Sequence, residues 1–201
     1  MSHESEPPDV IYIIRHGEKP YEPAHENYPH RGVDFRGKRN EHSLIPRGWQ
    51  RSGALAALFD PAQGPLRPGL QAPGRLVSPS YGGKNENAEH RTHQTISGVS
   101  ERLGITIVAD FAKGDEPKLA RALARSGPGI VLVCWEHSHI PDLASALPLA
   151  EGTVIPKQWP DDRFDVIWTF ARATDHAYSF TQVPQLLLPG DADTVITAGS
   201  S

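Results

Sequence analysis

The chain is poor in sulfur, with one cysteine, Cys134, and one methionine among its 201 residues. A single cysteine excludes an intrachain disulfide and any zinc cluster built on several thiolates. Its neighbours in Ile130-Val-Leu-Val-Cys134 are apolar, so a buried structural thiol is expected rather than a reactive one. Long apolar runs are also missing. No stretch approaches the ~20 residues of a membrane span, and the opening Met1-Ser-His-Glu-Ser-Glu-Pro-Pro8 is polar and acidic instead of basic and then apolar. The expectation is a cytoplasmic protein with no membrane partner. An excess of charge of one sign is lacking too: Lys plus Arg number 20 against 24 Asp plus Glu, a formal charge of −4, which gives no electrostatic reason to expect a nucleic acid. Internal repeats and low-complexity tracts are absent as well. With 38% hydrophobic and 22% charged residues, the chain reads as one compact domain over 1–201, frayed at 1–8 and 196–201.

What is present is an alternation of strand-like and helix-like segments, the pattern of crossover helices covering a largely parallel sheet. Val10-Ile-Tyr-Ile-Ile-Arg15 is β-branched and apolar on both faces, as a central strand should be. The stretch from Lys19 to Ser43 is polar and rich in Pro and Gly, which predicts a long loop. Pro46 opens a helix that Asp60-Pro61 breaks. Arg75 to Ser78 reads as a strand, Tyr81 to His90 as a polar hinge, and Arg91 to Leu103 as a helix closed by Gly104. Ile105 to Val108 is a third strand, Glu116 to about Ala124 a helix, Gly129 to Cys134 a very apolar strand, and Ile140 to about Leu147 a further helix. Phe164 to Phe170 and Ala177 to Val183 read as a hairpin at a sheet edge. Trp135 and Trp168 fall in apolar strands and are expected to be structural.

In open α/β sheets the ligand lies beyond the carboxyl ends of the strands. Three such places carry unusual chemistry. The first strand delivers Arg15-His16-Gly17-Glu18, the second strand and its loop deliver Arg91, and the strand ending at Cys134 delivers Glu136-His137-Ser138-His139. Two arginines and two histidines at one rim form a pocket for a dianion, which suits phosphoryl transfer from a monoester. A neutral imidazole at His16 can attack phosphorus and divide one hard displacement into two. Arg15 and Arg91 would present permanently charged planar forks to phosphate oxygens, and His137 a further hydrogen bond. His139 competes with His137 for that role. Gly17 lets the backbone come close to a phosphate, and Gly17, Glu18, Glu136 and Ser138 are expected to line the substrate side. His90 and His93 stand one helical turn apart, as two metal ligands would, yet scattered surface histidines are ordinary. No metal is expected.

Arg15-His16-Gly17-Glu18 after a hydrophobic strand resembles the Arg-His-Gly signature of the histidine phosphatase superfamily, the group that includes phosphoglycerate mutases. Leu44-Ile-Pro-Arg-Gly-Trp-Gln50 is similar to the family's helix-opening segment, Arg91-Thr-His-Gln-Thr95 to its second arginine followed by Gln-Thr, and Val131 to Leu143 to its second-histidine segment. Ile45 stands where that family usually has Thr, and Tyr81 to His90 delays the second arginine. The resemblance implies a three-layer α/β/α sandwich with a mainly parallel central sheet and an antiparallel edge. It also implies a phosphohistidine at His16, a phosphate pocket of Arg15, Arg91 and His137, and no metal or other cofactor. The substrate is then a small phosphorylated molecule or a phosphoprotein, and alternatives are a phosphomutase or a phosphate-binding scaffold without turnover. A proton donor for the leaving oxygen is also needed. Glu116 resembles the acidic position after the second arginine in the mutase-like branch; Glu136, Glu86 and Glu89 compete with it.

Overall fold

The computed structural model describes residues 6–20, 31–80, 90–173 and 177–198. Glu86, Glu89 and most of the expected hinge lie outside them, as does 21–30 of the long loop. The elements run β1 (Val10–Arg15), α1 (Pro46–Phe59), β2 (Arg75–Val77), α2 (Arg91–Leu103), β3 (Ile107–Val108), α3 (Glu116–Leu123), β4 (Ile130–Trp135), α4 (Ile140–Ser145), β5 (Val166–Arg172) and β6 (Tyr178–Pro184). A 3₁₀ turn over His137–His139 precedes α4. The six strands form one sheet in the order β3-β2-β4-β1-β5-β6. β3, β2, β4 and β1 are mutually parallel, while β5 joins β1 antiparallel and carries β6 as an antiparallel edge.

All six residues of β1 are buried, because the strand feeds two cores at once. Val10, Tyr12 and Ile14 pack with Leu55 and Phe59 of α1 and with Ile96 and Val99 of α2. Ile11 and Ile13 face the other way, against Leu119 and Ala120 of α3 and Leu143 and Ala144 of α4. Alternation of side chains across a strand thus turns one apolar hexapeptide into the centre of a three-layer α/β/α sandwich. Each large side chain so buried contributes roughly 1.5–3 kcal/mol. No helix among the described residues is long and apolar enough to cross a membrane.

Element boundaries differ from the sequence reading where tertiary bonds intervene. β3 is two residues long, not four, because Ile105 is used to close α2: its N–H bonds the Ser100 carbonyl and its own carbonyl accepts from Ser100 Oγ. Gly104, at φ +66°, makes that reversal. β4 runs one residue further, to Trp135, because Trp135 is in register with Arg15 of β1. β5 begins at Val166, since the Asp165 carbonyl is bonded by the N–H of Gln185 and Phe164 turns toward the end of β1.

Candidate active site

Because β1 and β4 are parallel and in register at Arg15 and Trp135, the residues that follow them emerge side by side. His16 follows one, and Glu136 and His137 follow the other. The His16 N–H bonds the Trp135 carbonyl at 3.3 Å, and the rings of His16 and His137 stand edge to face with centroids 5.9 Å apart. β5 runs the opposite way, so its beginning reaches this same rim and brings the turn over 160–165 to the site.

His16 is buried, and its Nδ1 lies 2.8 Å from the Gly17 carbonyl oxygen. A carbonyl only accepts, so the hydrogen of the neutral ring sits on Nδ1 and the lone pair on Nε2. Burial pulls the imidazole pKa down to about 3, assisted by the positive charge of Arg15 and, to a lesser degree, of Arg91 and His137, against the opposing Gly17 bond. The ring is therefore neutral, with a defined nucleophilic nitrogen, across the physiological range.

Gly17 has a local role of its own. Its N–H donates to Thr95 Oγ1 at 2.7 Å, and that hydroxyl donates to the Arg91 carbonyl at 2.6 Å. Thr95 thus ties the start of α2, and with it Arg91, to the residue after the nucleophile. The missing side chain serves packing: a Cβ on Gly17 would lie 3.2 Å from the backbone of Gly48, and one on Gly48 would lie 2.6 Å from the Glu18 carbonyl. Arg91 itself also donates from Nη2 to the Glu41 carbonyl.

Arg15 is fully buried and its Nη1 donates to the carbonyls of Pro160, Asp161 and Arg163, with the guanidinium carbon 3.9 Å from the centre of the Phe164 ring. The arginine expected to grip phosphate is thus first of all the anchor of the 160–164 turn, while its charge bears on His16. Sequence reasoning missed this turn. Trp159-Pro-Asp-Asp162 is turn chemistry that marks a loop, yet nothing local shows that the loop returns to β1.

His137 is bracketed by carboxylates: Nδ1 lies 2.8 Å from Glu136 Oε1, and Nε2 lies 2.7 Å from Asp161 Oδ1. His139 turns elsewhere, with Nδ1 3.1 Å from Glu116 Oε1. The other Glu136 oxygen accepts from the Ser138 N–H and hydroxyl, capping the 3₁₀ turn. Burial opposes ionisation of Glu136, but the bonds from His137 and Ser138 and the charges of His137 and Lys113 outweigh it and hold the carboxyl well below its usual range. Ser138 and Glu136 therefore satisfy each other first of all.

Glu116, expected to donate the proton, is held by several donors. Its Oε1 accepts from the Gly114 N–H at 3.0 Å and from the Trp135 indole at 2.9 Å, besides facing His139. Burial would raise its pKa, yet the bonds from Gly114 and Trp135, its own backbone N–H and the charge of His139 together lower it. A carboxylate so held favours the ionised form, the reverse of what an acid needs. Glu18, expected on the substrate side, is likewise committed: Arg51 binds both its oxygens and Arg47 one of them, and Arg51 also bonds Asp191 and Gln185. It braces the site from behind.

Among the described residues one group could hold a metal ion: His16, Glu136 and His137, each with a ligand atom within 4.8 Å of the others. The charges of Arg15 and Arg91 fall on this spot and favour an anion there over a cation. The His90 and His93 pair is not part of it.

No family model matches the chain, and no curated protein matches it. Among solved structures, the chain is similar to that of the protein histidine phosphatase SixA complexed with tungstate, at 14% identity and a TM-score of 0.47 over 88% of this chain and 97% of that one.

Proposed function

We propose that the chain is a phosphatase that hydrolyses a phosphomonoester through a phosphohistidine on His16. The observation that carries this reading is the state of His16. Its Nδ1 hydrogen is fixed on a carbonyl, its ring is neutral, and its Nε2 lone pair lies in the field of two arginines and a second histidine. Attack by Nε2 on phosphorus leaves a positive imidazole beside the phosphoryl group, and the phosphoryl group's negative charge stabilises it. Arg91 and Arg15 offset the charge on the phosphoryl oxygens as the bond to the leaving oxygen breaks. The Gly17 carbonyl accepts the Nδ1 hydrogen throughout, holding the ring in one tautomer and one orientation. Water then attacks the phosphohistidine and releases inorganic phosphate. Substrate class is set at the rim, where a phosphorylated metabolite or a phosphoprotein side chain is the reading the charge pattern supports, with the cytoplasm as the expected compartment.

The test is exposure of the protein to a ³²P-labelled aryl phosphate with chelator present, followed by a search for acid-labile, base-stable label. The expected result is label on the parent chain, none on His16→Ala, and release of inorganic phosphate by the parent alone. Label without phosphate release would turn the reading to a mutase, in which the phosphoryl group returns to substrate. Activity that depends on added metal would move it to the His16, Glu136 and His137 group as ligands, and retained activity in His16→Ala would sink the phosphohistidine.

A further inference from the structure

A phosphomonoesterase needs a proton for the leaving oxygen, and the carboxylates that the sequence offers for it, Glu116 and Glu136, are each held in the ionised form by donors. Glu116 is held by the Gly114 N–H and the Trp135 indole, and Glu136 by His137 and Ser138. A third carboxylate reaches the same cluster. Asp161 stands on the turn that antiparallel β5 brings to the rim, and its Oδ1 is 2.7 Å from His137 Nε2 while 93% of its side chain remains exposed. Its backbone is fixed, because the Asp161 carbonyl accepts from Arg15 Nη1 at 2.7 Å and the turn rests on Phe164, whose ring centre is 6.2 Å from that of His16. The side chain is thus hydrogen-bonded into the site at one oxygen and open to solvent at the other, on an anchor that leads directly to the residue before the nucleophile.

We propose that Asp161 is the proton donor and acceptor of the reaction, resting on the reading of His16 as the phosphorylated nucleophile. Before substrate binds, its carboxylate is placed by His137. When a phosphoryl group enters, its oxygens take the contact with His137 Nε2, and Asp161 is left beside the ester oxygen on the solvent side. As His16 Nε2 bonds to phosphorus, the phosphorus to oxygen bond breaks with its electron pair going to the leaving oxygen. The Asp161 carboxylate, having taken a proton from solvent as the phosphoryl dianion displaced it from His137, gives that proton to the oxygen, so that a neutral alcohol departs. The Asp161 carboxylate then takes a proton from water as the water oxygen bonds to phosphorus. The phosphorus to nitrogen bond breaks with its pair returning to Nε2, and phosphate leaves with the acid restored. A dianion beside a carboxyl disfavours the charged form of the carboxyl, so substrate itself favours the donor state.

Leaving-group dependence tests this, because a proton donor matters for a poor leaving group and little for a good one. Asp161→Asn keeps size and one hydrogen-bonding oxygen but has no proton to exchange. Against phenyl phosphate it is expected to lose about 100-fold or more in kcat, and against 2,4-dinitrophenyl phosphate less than about 10-fold, with Asp161→Glu recovering part of the loss. Asp162→Asn, on the exposed neighbouring position, is expected to leave both rates unchanged. Equal losses for the two esters would reduce Asp161 to a packing role and overturn the proposal. A gain in kcat/KM in Asp161→Asn would overturn it in another way, by making the carboxylate an occupant that substrate must displace. Trapping ³²P on His16 of the parent chain separates the two levels: without that label the phosphohistidine reading itself fails, and with it only the role of Asp161 is at stake.

Discussion

The proton inventory of His16 makes a thermodynamic statement as well as a catalytic one. Its folded pKa is pulled from 6.5 to about 3 by burial and by the charge of Arg15, so between those values the unfolded chain binds a proton that the folded chain refuses. Stability contributed by this residue is therefore fully present above pH 6.5 and declines as pH falls through that window. At pH 5 the penalty amounts to about 2 kcal/mol. His16→Asn removes it, so urea unfolding at pH 7 and pH 5 is expected to show the parent losing about 2 kcal/mol more than the variant between the two conditions. An equal loss in both would mean that His16 is hydrated and titrates normally, and the defined nucleophilic nitrogen would go with it.

Between elements, the site depends on one hydroxyl. Thr95 accepts from the Gly17 N–H and donates to the Arg91 carbonyl, so it sets the distance between the end of β1 and the start of α2. Thr95→Val preserves shape and deletes both bonds, leaving a buried N–H without its acceptor. The expected cost is about 1–3 kcal/mol in unfolding free energy, with a fall of roughly tenfold or more in the rate of His16 labelling, since a small misplacement of Arg91 is enough for that. Thr95→Ser is expected to restore both. Unfolding midpoints and the labelling time course read the two effects separately, and labelling at the parent rate in Thr95→Val would show that α2 is positioned by packing alone.

On the scale of the molecule, the segment after β6 is fastened to the back of the site by a buried charge cluster. Arg51 of α1 binds Glu18 at 2.8 Å and Asp191 at 2.7 Å, with side-chain exposures of 2%, 7% and 3%, respectively. Burial opposes the charge on Arg51, but the two carboxylates outweigh it and raise its pKa. Arg51→Met leaves two buried carboxylates with only the more exposed Arg47 as cation, an expected loss of about 3–5 kcal/mol. The exposed pair of Arg39 with Glu41, at 56% and 67%, is the internal comparison, and Arg39→Ala is expected to cost under about 1 kcal/mol. Guanidinium unfolding curves of the two variants rank them, and similar midpoints would mean that the cluster only balances its own desolvation.

What the sequence by itself determined is everything that depends on local pattern. An apolar hexapeptide with β-branched residues can only be a buried strand, Pro46 and Gly104 mark where helices start and stop, and the residues after β1 and β4 are chemically out of place anywhere but at a rim. Three of the groups expected at the site, Arg15, Arg91 and His137, are brought within electrostatic reach of His16. What only the tertiary structure decided is which polar groups are used up by their neighbours. Glu116 reads as an acid until the Trp135 indole and the Gly114 N–H are found on it, and Glu18 as a ligand contact until Arg51 is. Asp161 reads as an ordinary turn residue until an antiparallel strand carries it to His137. Strand direction and long-range hydrogen bonds join residues from 19 to 146 positions apart, and a pattern read a few residues at a time holds no record of such pairings. The availability of a proton or a lone pair is a property of those pairings, so the chemistry of the rim is settled by the fold.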